Sequence, residues 1–201
     1  MTKLLCFLAL FMSFANLYGD TNDNENRKGG FLSVGGGPGF IAQHLEREAT
    51  FIYRGRLISY EDKILPSVAG DVKVGIGVSQ RFQIYWSVKP NWSMSDNIML
   101  AGYGLGFRYY LSNFSPSFSI ASSFGFHRRQ EEYKSDPESS IGISLSVGYE
   151  MIKSWEIEVT GGYGGETRMG VGDLNSSYPF VSINMNKVFY YNSSGLGSRK
   201  Q

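Results

Sequence analysis

The chain is almost without cysteine. Cys6 is the only one in 201 residues, and it lies in the apolar run at the extreme N-terminus. A disulfide framework and a thiolate metal site are therefore excluded. Histidine is nearly as scarce, with His44 and His127 alone, and neither a metal nor a cofactor is expected. An excess of charge of either sign is also missing, since 19 Lys and Arg face 18 Asp and Glu. Such balance gives no electrostatic reason to bind nucleic acid or an anionic surface. No apolar run reaches the ~20 residues of a membrane helix. What the chain has in quantity is glycine, 25 residues, and aromatic side chains at 15%.

The N-terminus sets the compartment. Met1-Thr2-Lys3 is a short basic start, and "LLCFLALFMSF" (4–14) is an apolar core with the small residues Ala15 and Gly19 after it. Charged start, apolar core and small residues before a cut form a secretory signal peptide, here residues 1–19 with cleavage after Ala15 or Gly19. The competing reading is a buried N-terminal helix. Loss of Lys3 with the signal brings the 19 basic residues level with the 18 acidic ones. Residues 20–29, "DTNDNENRKG", are a polar, disordered lead-in, and 192–201, "NSSGLGSRKQ", are a C-terminal tail. Between them, 30–191 reads as one domain.

That domain alternates. In "ISLSVGYEM" (143–151) the apolar residues Ile143, Leu145, Val147, Tyr149 and Met151 are separated by Ser144, Ser146, Gly148 and Glu150. Period two means β-strand with two unlike faces. The same pattern marks strands at 30–43, 70–82, 85–93, 98–111, 116–127 and 178–191, and on both sides of a tight turn at Lys153-Ser154. That makes eight strands. A second tight turn is expected near Gln83-Ile84. Charged loops are expected at 44–69, 128–139 and 166–177. Short turns then gather at one end and long loops at the other.

The two faces differ in size. One carries large apolar residues, with aromatics near strand ends: Trp86, Trp92, Tyr109, Phe126, Tyr149, Trp155 and Tyr163. Aromatic girdles of this kind mark both interfaces of a membrane barrel. The other face is glycine and serine with occasional charge. It is too bare for a soluble surface but suits the interior of a narrow tube. The expected fold is all-β: a closed, antiparallel, eight-stranded, up-and-down transmembrane β-barrel, apolar outside and polar inside. The main alternative is a secreted, soluble, lipocalin-like lipid carrier with the apolar face lining a cavity.

The segments "VGIGVSQRF", "AGYGLGFRYYLSNFSPSFSIASSFGF" and "SVGYEMIKSWEIEVTGGYG" resemble the strand-turn-strand cadence of the small bacterial outer-membrane β-barrel proteins of the OmpA/OmpX-like superfamily. The resemblance covers roughly 30–191. It implies a cell outer-membrane location after Sec-type export, with short turns in the periplasm and loops outside. Such proteins usually end on an aromatic residue, whereas ten residues follow Tyr191 here.

Charges on the inner face must be paired, because a buried charge is costly alone. Arg81, Arg108, Glu150 and Glu156 fall near short turns at one end, with Glu158, Lys73 and Lys89 further in. The expected plug sets Arg81 and Arg108 against Glu150 and Glu156 under Tyr85 and Tyr110. The bland reading is a set of charges in a wet lumen. With eight strands side chains fill the interior, so no open general porin is expected. No catalytic residues are identified. A lipid A-modifying hydrolase would need a His and a Ser two apart on the lipid face, but His127 is followed by Arg128 and Arg129 and its parity points inward. The expected partners are outer-membrane lipid and a protein at loops 44–69 and 128–139, where Tyr53, Tyr60 and Tyr133 sit among mixed charges. The expected role is structural or adhesin-like, in a monomer.

Overall fold

The computed structural model describes residues 27–50, 56–95, 97–131, 138–151, 154–168 and 175–191. The signal segment 1–19, the lead-in up to residue 26, Lys153 and the tail 192–201 lie outside these residues. Eight strands form one closed barrel in which each pairs with its sequence neighbours and the last with the first: β1 (Gly29–Thr50), β2 (Arg56–Gly77), β3 (Phe82–Ser93), β4 (Ile98–Tyr110), β5 (Ser117–Glu131), β6 (Glu138–Glu150), β7 (Trp155–Arg168) and β8 (Asn175–Tyr191). All pairings are antiparallel. The expected closed, up-and-down, eight-stranded barrel is the fold.

The faces divide as the alternation requires. Along β6 the residues Ile141, Ile143, Leu145, Val147 and Tyr149 point out, with Leu145 61% exposed, while Ser144, Ser146 and Glu150 are buried. The same holds around the barrel for Val74, Ile120, Phe124, Val159 and Ile183. A protein in water does not leave so many Ile, Leu, Val and Phe side chains exposed around a closed sheet. Buried charge, meanwhile, is concentrated in the lumen. The soluble-carrier arrangement, with the apolar face lining a cavity, is the reverse of this one.

Four boundaries differ from the sequence expectation. The expected loop 44–69 is largely strand, because β1 runs on to Thr50 and β2 begins at Arg56. At 22 residues each, these strands are about 73 Å long at the usual rise per residue. The last β2–β3 pair is Val68 with Trp92 and the last β1–β8 pair is Leu45 with Ser176. Among the described residues, β1 and β2 therefore run on together past their pairings with β8 and β3. The expected loop 128–139 is shortened in the same way by Ser117–Glu131 and Glu138–Glu150, and 166–177 by Trp155–Arg168 and Asn175–Tyr191. At these ends charged residues fall on both parities and the alternation no longer carries an apolar signal, so they read as loop.

The fourth difference is the first short turn. It lies at 78–81 rather than near Gln83-Ile84, which are both in β3. The Ser79 hydroxyl accepts from the backbone N–H of Phe82 (3.0 Å) and of Arg81 (3.2 Å), and Val78 N–H donates to Phe82 C=O (2.9 Å). A serine bonding the backbone two and three residues on is a common turn device. The turn at Ser154 falls where expected, with Ser154 in the left-handed region at φ 64°.

Candidate functional site: the lumen and the long hairpins

The lumen is layered from the short-turn end to the loop end. Arg27, the first described residue, enters the mouth ahead of β1 and is buried. Its Nε donates to Glu150 Oε2 at 2.9 Å, and Nη1 donates to the carbonyls of Ser112 (2.8 Å) and Gln80 (3.3 Å). The guanidinium also lies 4.1 Å from the Tyr110 ring centre. One side chain thus ties β6 to the turns that follow β2 and β4. The residue falls within the expected disordered lead-in 20–29, so that reading is corrected from Arg27 onward.

Arg108, from β4, is fully buried at the next level. It crosses the lumen to β7, pairing with Glu156 at 2.8 Å and more closely with Glu158. Its guanidinium lies 5.9 and 5.8 Å from the rings of Tyr85 and Tyr110. Glu156 also accepts from the Ser119 hydroxyl at 2.8 Å. Glu158 takes the Lys73 ammonium at 2.7 Å and faces Lys89 at 3.6 Å. Lys73 is paired closely with Asp71 as well, and Asn186 donates to that carboxylate at 3.1 Å. Three cations, Lys73, Lys89 and Arg108, therefore meet three carboxylates, Asp71, Glu156 and Glu158. Arg27 and Glu150 balance separately at the mouth. Each level is neutral, as burial demands.

The side chains named from the sequence are thus partly brought together. Arg108, Glu156, Glu158, Lys73 and Lys89 share one network, and Glu150 lies below it. Arg81 does not join. It is exposed in the 78–81 turn, where its Nε donates to Asn113 Oδ1 at 2.8 Å. The expected pairing of Arg108 with Glu150 is also corrected, because Arg27 holds Glu150 instead. Asp71 was missed although it shares the parity of Lys73.

The mouth-side packing around Phe31, Tyr85, Ala121 and Val188 relies on glycine at one close approach. A Cβ at Gly106 would run into the Tyr85 ring. At the loop end an apolar layer of Ile41, Leu65, Ile98, Leu100, Tyr178 and Phe180 closes the lumen. Arg129, opposite Leu100, is buried beside it, 4.1 Å from the Tyr178 ring centre. No sequence expectation placed an apolar seal inside the tube.

His127 lies in the lumen with its ring 5.7 Å from that of Phe180. The lipid-side residues next to it are Phe126 and Arg128, both exposed. The side chain of His44 lies outside the described ones. Among the described residues no group of three His, Cys, Asp or Glu could hold a metal ion.

On the outer wall, Tyr109, Tyr149 and Trp155 sit near the short turns, and Trp92, Phe126 and Tyr163 sit toward the loops. Trp86 is deeper, opposite Leu105 and Val74. Trp155 is capped by the Lys187 ammonium, 5.3 Å from its ring centre.

No family model and no curated protein sequence matches the chain. A solved structure shares its fold. Neisserial surface protein A (NspA) aligns with a TM-score of 0.53 at 10% identity, over 81% of this chain and 98% of its own. The outer-membrane protein OprG of Pseudomonas aeruginosa gives 0.47 at 11% identity, over 84% of this chain and 100% of its own.

Proposed function

We propose that the chain is a bacterial outer-membrane barrel with a structural or adhesin-like role, presenting its long hairpins outside the cell and catalysing nothing. The observation that carries this reading is the contrast between the two ends of a sealed tube. Short turns and a charge-neutral plug occupy one end. The β1–β2 hairpin, with mixed charges and Tyr60, projects from the other. A rigid scaffold holding polar, accessible segments is the usual arrangement for binding at a surface. The apolar belt would sit in lipid, with the short turns in the periplasm, as in barrels of this size. No observation on the described residues favours the hydrolase reading, because His127 faces the lumen rather than the lipid.

Trypsin added to intact cells displaying the protein should cut at Arg47, Arg56 or Lys63 and spare Arg81 until the outer membrane is opened. Cutting at Arg81 in intact cells would reverse the orientation. Replacing residues 46–60 by a two-residue turn should leave heat-modifiable gel mobility intact, since among the described residues β1 pairs with β8 only as far as Leu45. The same trim should abolish adhesion of the displaying cells to a host-cell monolayer. Undiminished adhesion would move the binding role to 128–139 or remove it.

A further inference from the structure

Between the ion network and the apolar seal lies a small cavity, lined by Ser87, Lys89, Ser123, His127, Ser144 and Phe180 among others. No aspartate or glutamate lines it. Its polar groups are rich in donors. The Ser123 and Ser144 hydroxyls are 2.6 Å apart, so one donates to the other and the acceptor of that bond keeps its own proton for a guest. Lys89 has three N–H donors. Its contacts are a 3.4 Å bond to the Ser146 hydroxyl and the 3.6 Å approach to Glu158. Glu158 is already engaged more closely by Lys73, by Arg108 and by the Thr160 hydroxyl at 3.0 Å. Of the three central cations, Lys89 therefore makes the longest ion pair.

The imidazole beside it is given room on purpose. A Cβ at Gly102 would come to 3.2 Å from His127 Nε2, one at Gly142 to 2.6 Å from Cδ2, and one at Gly164 to 3.3 Å from Nδ1. Three glycines on three strands thus form the seat of one ring, and His127 Nδ1 is buried with no hydrogen-bond partner.

We propose that this cavity binds one small monovalent anion of halide size, held by the Lys89 ammonium and the surrounding hydroxyl and imidazole donors. A buried site that offers donors and a cation, with no carboxylate of its own, favours an anion, since each donor needs an acceptor. Ion pairs lie below the cavity and apolar side chains above it. The site is independent of what the outer hairpins bind.

The test is refolding in sodium bromide and in sodium methanesulfonate at equal ionic strength, followed by crystallography at the bromine absorption edge. One anomalous peak beside Lys89 Nζ is expected, and it should vanish in Lys89→Met. The midpoint of heat-induced loss of folded gel mobility should be about 3–5 °C higher in bromide for the wild-type chain and unchanged for Lys89→Met. Ser123→Val keeps the ammonium and removes one donor. It should weaken bromide about fivefold, the equivalent of one hydrogen bond, and serves if Lys89→Met does not fold. A peak indistinguishable from water, or bromide bound equally in Ser123→Val, would overturn the proposal.

Discussion

Arg108→Met should cost about 3–5 kcal/mol of barrel stability, the penalty for removing one partner of a buried ion pair. Urea unfolding of the chain refolded into lipid vesicles measures it. The side chain is fully buried and answers two carboxylates across the lumen, Glu156 at 2.8 Å and Glu158 more closely. Removing it leaves Lys73 and Lys89 against three acids. Glu158 keeps both lysines, but Glu156 keeps only the Ser119 hydroxyl among its close partners. Most of the loss should therefore return in the double variant Arg108→Met, Glu156→Gln. Charge reversal distinguishes this network from the one the sequence suggests. Arg108→Glu combined with Glu150→Arg should not recover, because Glu150 lies with Arg27 at the mouth. Full recovery in that reversed pair would contradict the observed partners.

The second large effect is expected on the outer wall. Leu145→Arg, in the middle of β6, should destabilise the barrel in a bilayer by about 2–4 kcal/mol, as cations do at the midplane of a lipid-facing strand. Ile64→Arg is the control. Ile64 is even more exposed, at 74% against 61% for Leu145, but it lies on β2 beyond the last β2–β3 pair. There it should change stability by less than about 0.5 kcal/mol, as for an ordinary surface position. A soluble barrel would tolerate arginine at both sites. Depth in lipid, not exposure, is what separates them.

Much of this was legible in the chain because lipid imposes a different solvent on each face of a strand. Leu145 and Ser146 are told apart by parity alone, and eight such segments close a barrel. The signal ends where the lipid ends. Arg56 to Lys63 and Arg128 to Glu131 place charged residues on both parities, so nothing in their pattern distinguishes strand from loop. The 78–81 turn was displaced for another reason: β2 and β3 both point their even-numbered residues outward, as in Ile76 and Trp86, so parity runs through the turn unbroken. Ser79 was the available cue.

The lumen was legible as a set of charges but not as a set of pairs. Pairing is decided by strand stagger around the closed barrel, which brings β4 opposite β7 and Arg108 to Glu156 and Glu158. Nearness to a common end suggested Glu150 and Arg81 instead. Asp71 could have been found, since it shares the parity of Lys73. Arg27 could not, because it precedes the first strand and belongs to no alternation. The apolar seal was hidden for a related reason. Ile98 opens β4 and Leu65 falls in the stretch expected as the loop 44–69, so neither was assigned to the inner face.

The central claim is that the apolar face meets lipid while the glycine–serine face lines a closed lumen. Spin labels placed singly at 141–149 along β6 in a reconstituted bilayer test it most directly. Collision with dissolved oxygen, which concentrates in the hydrocarbon, should peak at Ile141, Ile143, Leu145, Val147 and Tyr149 and fall at Gly142, Ser144, Ser146 and Gly148. Oxygen maxima at the even positions, or no alternation at all, would contradict it.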